Sequence, residues 1–199
     1  MIEARRVYFV DNGTIHKREF INLLDDCAVC EVGPERLNDL CPFPGDVVIL
    51  SGGNHTVVGQ ANIERSKEIA RFITDAHCPI IGVCQGAQQI GFAFHSLLQR
   101  KENRVQKFKQ VKALDHHPIF DGVGDEFLAY FGHRWFFHQN NLKPPLIPLA
   151  VDSSGVVAVF AHDSKPIVGM QFHPEVRSNT LTRMFWQNTL RYVTTAFSR

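Results

Sequence analysis

Short apolar runs alternate with amphipathic stretches along the first half of the chain. Arg6 to Val10, Val47 to Leu50 and Pro79 to Val83 carry apolar residues on both alternating sets of positions and are bounded by Gly, Pro or polar clusters. Runs of that kind predict strands buried on both faces. Between them, Phe20 to Leu24 forms the core of one predicted helix and Ala61 to Ala76 a longer one. After Cys84, the set Ala87, Ile90, Phe94, Leu97 and Leu98 falls on one helical face. The second half reads differently. Phe127 to Phe131, Ile147 to Val151, Val156 to Phe160 and Ile167 to Phe172 predict strands with no long helix between them. Asp152-Ser-Ser-Gly155 predicts a hairpin turn, and Thr180 to Ala196 a terminal helix. The expected fold class is α/β: an open, mostly parallel sheet with helices on both faces and an antiparallel extension, in one domain spanning 1–199.

Composition narrows what such a fold is for. The chain has 199 residues, 44% hydrophobic and 21% charged, which is a globular and not a disordered profile. Lys+Arg number 21 against 20 Asp+Glu, and that balance gives no electrostatic footprint for nucleic acid or an anionic membrane. No apolar run approaches the length of a transmembrane span, and the first residues carry too few apolar positions for a signal peptide. A cytoplasmic protein is expected. Five cysteines without an export signal argue for reduced thiols. Cys27 and Cys30 form C-x-x-C within a predicted strand, with no second pair to complete a zinc site, and read as buried packing residues. The stretch from Arg100 to Lys112 holds six Lys or Arg and one acid. It reads as a solvated face, with Val105, Phe108 and Val111 turned inward, in preference to a docking surface.

The candidate chemistry starts at Pro79-Ile-Ile-Gly-Val-Cys-Gln-Gly-Ala-Gln88. A buried strand runs into Cys84, a helix begins at once, and Gly82 and Gly86 flank the thiol two residues away on either side. That is the G-x-nucleophile-x-G pattern of an elbow too tight for larger neighbours. The positive end of the helix dipole at this place favours a thiolate. A second buried strand, Ile167-Val-Gly-Met-Gln-Phe-His-Pro-Glu175, ends in His173 with Glu175 two residues on. A cysteine nucleophile needs a base, and the base needs a carboxylate to fix its tautomer. Pro174 keeps His173 extended at the strand end. A third strand ends in Ser51-Gly-Gly-Asn54, where paired glycines can turn a backbone N–H toward an oxyanion, joined by the N–H of Gln85.

The strings L-S-G-G, G-V-C-Q-G-A-Q and G-M-Q-F-H-P-E, in this order, resemble the class I, triad-type glutamine amidotransferases, and the resemblance runs from Asp11-Asn12 to the terminal helix. It implies a flavodoxin-like sheet and a γ-glutamyl thioester on Cys84, with His173 as base and acid and Glu175 orienting it. It further implies oxyanion N–H groups from Gly53 and Gln85, and substrate contacts from Gln88 and Gly52. L-glutamine is the implied substrate, and a synthetase the implied partner that receives the ammonia. Three positions depart from the family pattern: Ala87 replaces a common histidine, Asn54 a common proline, and Gly132 or Arg134 stands where relatives carry serine. His133 and Arg134 are expected beside the substrate, Arg134 as a partner for a carboxylate.

The remaining histidines show no metal-ligand spacing, and neither a Walker A string nor a strand-linked G-x-G-x-x-G is present. No metal or cofactor is expected, and any ATP site lies on another chain or domain. Two other readings stay open. One is a free-standing γ-glutamyl hydrolase or peptidase using the same three residues. The other is a non-catalytic relative that binds a partner or small molecule. A serine-type α/β-hydrolase fits less well, since the chain order here is Cys…His…Glu.

Overall fold

The computed structural model describes residues 6–24, 27–43 and 45–196. The expectation about the first residues rests on Met1–Arg5, which lie outside these. The elements in chain order are β1 (Val7–Val10), α1 (Lys17–Ile21), β2 (Val29–Val32), β3 (Val47–Leu50), α2 (Ile63–Asp75), β4 (Ile80–Val83), α3 (Gln85–Ala93) and β5 (Gln99–Arg100). There follow β6 (Lys107–Ala113), β7 (Glu126–Phe131), β8 (Trp135–Phe136), β9 (Leu146–Asp152), β10 (Val157–His162), β11 (Ile167–Met170) and α4 (Thr180–Ala196).

Nine strands form one sheet in the order β2-β1-β3-β4-β11-β10-β9-β6-β7, and β5 pairs with β8 apart from it. The first five strands are parallel and the remainder antiparallel. This is the expected α/β architecture with its antiparallel extension. In β1, β3, β4 and β11 every residue is buried, because helices cover both faces. Val7, Phe9, Val47, Ile49, Val83 and Met170 pack with Phe20 of α1 and with Phe185 and Trp186 of α4. Tyr8, Val10, Val48, Leu50 and Ile80 pack on the other face with Ile69 and Ile73 of α2 and Ile90 of α3. A continuous apolar run is what strand alternation needs to feed two cores at once.

Three expectations are corrected. The helix after Cys84 ends at Ala93 and does not continue to Leu98; Leu97 is exposed. His95 has φ 60° and Ser96 N–H donates to Gly91 O at 2.8 Å, a left-handed cap that stops the helix. The basic stretch contains a strand, β6, and Phe108 points outward with Gln110 while Val111 is buried. Period-2 alternation, not the i, i+3 spacing of Val105 and Phe108, decides which side faces in. Cys30 is exposed, while Cys27 is half-buried and packs against the edge of the core, so only one of the pair is a packing residue. The 152–155 turn forms as expected: Asp152 accepts from Ser154 N–H at 2.8 Å and Val156 N–H at 3.1 Å, and Gly155 takes φ 75°.

Candidate active site

Cys84 stands between the last residue of β4 and the first of α3, with φ 50° and ψ −99°. A non-glycine residue in that region is strained by roughly 1–3 kcal/mol, and such strain persists only where the surroundings over-determine it. Here the surroundings do so. A Cβ on Gly82 would lie 2.6 Å from the Gly86 carbonyl carbon and oxygen, and one on Gly86 would lie 2.1 Å from Leu50 O. The elbow is therefore packed directly on β3, and Cys84 N–H joins it to β11 by donating to Met170 O at 2.8 Å.

β4 and β11 are parallel neighbours with Val83 level with Met170. That register brings the continuation of β11 beside the thiol. Gln171 Nε2 lies 3.7 Å from Cys84 Sγ. His173 is 7% exposed, and its Nδ1 is 2.7 Å from Glu175 Oε1, whose carboxylate is buried. Glu175 Oε2 is also buried and has no hydrogen-bond partner among the described residues. Burial alone would push the His173 imidazole down, but the Glu175 carboxylate and then the Cys84 thiol more than offset it. The net result is well above the ordinary histidine value. The arrangement thus favours an imidazolium flanked by carboxylate and sulfur. Gly52 spaces the pair: a Cβ there would come within 2.9 Å of His173 Cε1 and 3.6 Å of Cys84 Cβ. Gly52, expected as a substrate contact, is buried, and its carbonyl accepts from Ser51 Oγ at 2.8 Å.

The thiol opens into a cavity of about 410 Å³ whose wall includes Gly53, Gln85, Gln88, Gly132, His133 and Arg134. Gly53, Gln85, Gln88, His133 and Arg134, expected as oxyanion and substrate residues, thus line one cavity with Cys84, and Gly52 lies beside the thiol without lining it. Gln88 Nε2 donates to Trp135 O at 2.9 Å, and His133 Nδ1 lies 3.0 Å from the same oxygen. Burial pushes His133 down to about 4, partly countered by that hydrogen bond, so the ring is neutral at pH 7. Nδ1 carries the proton donated to Trp135 O, and Nε2 is a buried acceptor with no partner among the described residues. Gly53 is fixed from below, where a Cβ would meet Asn12 O at 2.3 Å and Gln85 Oε1 at 2.5 Å.

Sequence reasoning missed several residues at this site. Asn12 and Gln89 exchange two amide hydrogen bonds of 3.1 Å, and Asn12 also bonds Ser51 through its backbone N–H and its Nδ2. This buried network holds the ends of β1 and β3 against α3, beneath Gly52-Gly53. His16 meets the His173 ring edge-on with centroids 5.9 Å apart. Arg104 crosses the cavity wall. It belonged to a charge run, and nothing in that run separates it from its neighbours, whereas Asn12 stands at a legible strand end.

Comparison with known proteins identifies the family. A family model for "Glutamine amidotransferase class-I" matches residues 30–192. The chain belongs to the class I glutamine amidotransferases. Among the amidotransferase's relatives is the glutamine-hydrolysing GMP synthase subunit of Thermoplasma acidophilum, 28% identical over 92% of this chain and 90% of that one. The protein of the same description from Methanothermobacter thermautotrophicus is 30% identical over 70% of both chains. In the glutamine-hydrolysing GMP synthase of Coxiella burnetii, 24% identical, the match covers 88% of this chain but 34% of that one. A crystal structure described as a GMP synthase subunit protein from Thermoplasma acidophilum superposes with a TM-score of 0.83 at 23% identity, over 97% of this chain and 96% of that one. At that identity the likeness speaks for the fold. Among the described residues no helix is long and apolar enough to cross a membrane.

Proposed function

We propose that this amidotransferase is a glutaminase component that hydrolyses L-glutamine at Cys84 and passes the ammonia to a synthetase partner. The observation that carries the reading is the convergence of Cys84, His173 and Glu175 from two adjacent parallel strands, with the thiol open to a cavity. Cys84 Sγ attacks the side-chain amide carbon as its proton resides on His173. Glu175 holds the imidazole by Nδ1, leaving Nε2 for the proton traffic. The tetrahedral oxyanion is met by the N–H groups of Gly53 and Gln85, donors worth about 10²–10³ each in comparable sites. His173 then protonates the departing ammonia, the thioester remains on Cys84, and water attacks it with His173 as base. Gln88 and His133, tied together through Trp135 O, shape the wall against which the substrate rests.

Relatives named as the glutamine-hydrolysing component of a GMP synthase support a separate synthetase as acceptor, and that type of synthetase is the first partner to try. The cavity volume favours a second reading, a γ-glutamyl hydrolase acting on amines or peptides, because ammonia as leaving group needs no open mouth. One assay compares them: ammonia release from glutamine and amine release from γ-glutamyl dipeptides, with and without the synthetase. Glutamine turnover that is lost in Cys84→Ala and stimulated by the synthetase supports the first reading. A preference for dipeptides with no effect of the partner overturns it.

A further inference from the structure

The cavity at Cys84 has two arginines in its wall and no carboxylate. Both are exposed at the rim, but the Arg104 guanidinium is held by hydrogen bonds to two loops. Its Nη2 donates to Gly132 O at 3.2 Å and its Nη1 to Asn54 Oδ1 at 3.3 Å, so it bridges the loop after β3 and the loop after β7. Its backbone position is fixed from both sides, because Lys101 N–H donates to Arg134 O at 2.9 Å and Val105 N–H to His133 O at 2.8 Å. No ion pair of Arg104 with a carboxylate occurs among the described residues. Both acceptors of its fork are neutral. Gly132 O is also 4.0 Å from Cys84 Sγ. One carbonyl thus touches both groups, and the guanidinium cannot be further from the thiol than those two contacts laid end to end.

We infer that Arg104 is the residue that binds the α-carboxylate of the γ-glutamyl substrate, a role that rests on the function proposed above. The geometry suits it. A γ-glutamyl group held with its Cδ at the thiol extends its carbon chain over Gly132 toward the guanidinium. A carboxylate there replaces the Asn54 amide oxygen as acceptor for Nη1. It thereby exchanges a hydrogen bond to a neutral amide for an ion pair with a carboxylate, which the guanidinium fork can meet bidentately. The planar fork gives direction as well as attraction, which a lysine at this position does not.

The test uses a glutamine-analogue electrophile, 6-diazo-5-oxo-L-norleucine, and its α-methyl ester. The rate of Cys84 labelling is read by mass spectrometry on the full chain. Wild type is expected to react at least about ten-fold faster with the acid than with the ester. Arg104→Gln should lose that preference to within about two-fold by slowing the acid alone, Arg104→Lys should restore part of it, and Lys107→Gln, which removes the same charge outside the cavity, should keep it. Equal slowing of both reagents in Arg104→Gln, or an undiminished preference, overturns the assignment and leaves the glutaminase reading standing. If neither reagent labels wild-type Cys84 while iodoacetamide does, the glutaminase reading fails and the assignment fails with it.

Discussion

The two halves of the sheet are made of different material. From β2 to β11 the strands are parallel, nearly all buried, and end together; their tips carry Asn12, Ser51 and Cys84, with Gln171 and His173 just beyond β11. From β10 to β7 they are antiparallel, and outward from β9 one face is half open, with Leu128, Phe108 and Ile147 exposed. That half supplies walls: His173 N–H is tied to Tyr130 O at 2.8 Å, and the segment after β7 lines the cavity. The proposed reacting groups sit where two helical layers fix them, and part of the cavity wall comes from the half with an open face. Of the departures from the family pattern, Asn54, Gly132 and Arg134 line the cavity, whereas Ala87 is buried in α3.

Breaking the antiparallel half should cost stability while leaving the chemistry intact. Asp152 is buried, caps the β9–β10 turn and pairs with Lys109 of β6. Asp152→Ala removes those bonds and strands a mostly buried ammonium, so a loss of about 3 kcal/mol is expected in urea unfolding. The Cys84 labelling rate should stay close to wild type below the transition. A labelling rate that falls together with stability would mean that the two halves are not separable.

Glu175→Gln sharpens the comparison from the other side. The fold should survive while kcat/KM falls by about 10²-fold. The pH profile gives the stricter check. Because Glu175 raises the folded-state pKa of His173, the imidazolium contributes stability below the unfolded histidine value of 6.5, and that contribution is lost as pH rises through the folded value. The alkaline fall in activity should therefore move to lower pH in the variant. An unmoved alkaline limb would show that His173 is not the group titrating there.

Much of this division was legible beforehand, for a physical reason. A strand buried on both faces must be apolar at every position, so β1, β3, β4 and β11 announce themselves, and Gly53, Cys84, His173 and Glu175 beyond the ends of the last three were found with them. β6 did not, since only Val111 of Lys107–Ala113 is fully buried and Lys107 and Lys109 share its alternating set of positions. The same charge run hid Arg104. Gln89 and Ser51 were missed because a buried amide network has no spacing rule: its members come from β1, β3 and α3.

Smaller effects follow. Ser51→Ala removes the acceptor of the Asn12 N–H at 2.9 Å and leaves that donor buried. A loss of about 1–2 kcal/mol in thermal or urea unfolding is expected, with kcat reduced because Gly52 and Gly53 follow directly. Full retention of kcat would detach the network from the site. Leu128→Ser, on the open face of β7, should change stability by no more than about 0.5 kcal/mol and catalysis not at all. A larger effect of Leu128→Ser on synthetase-stimulated turnover would place the partner on that face.

The order of strands has a consequence for biosynthesis. β11 lies between β4 and β10, and the imidazole that faces Cys84 follows it at position 173. A ribosome therefore makes the cysteine long before its histidine and carboxylate. Until β11 enters the gap beside β4, the Cys84 thiol of the emerging polypeptide stands without the imidazole and carboxylate that the finished molecule brings to it. Completion of the last strand is the event that assembles the proposed triad.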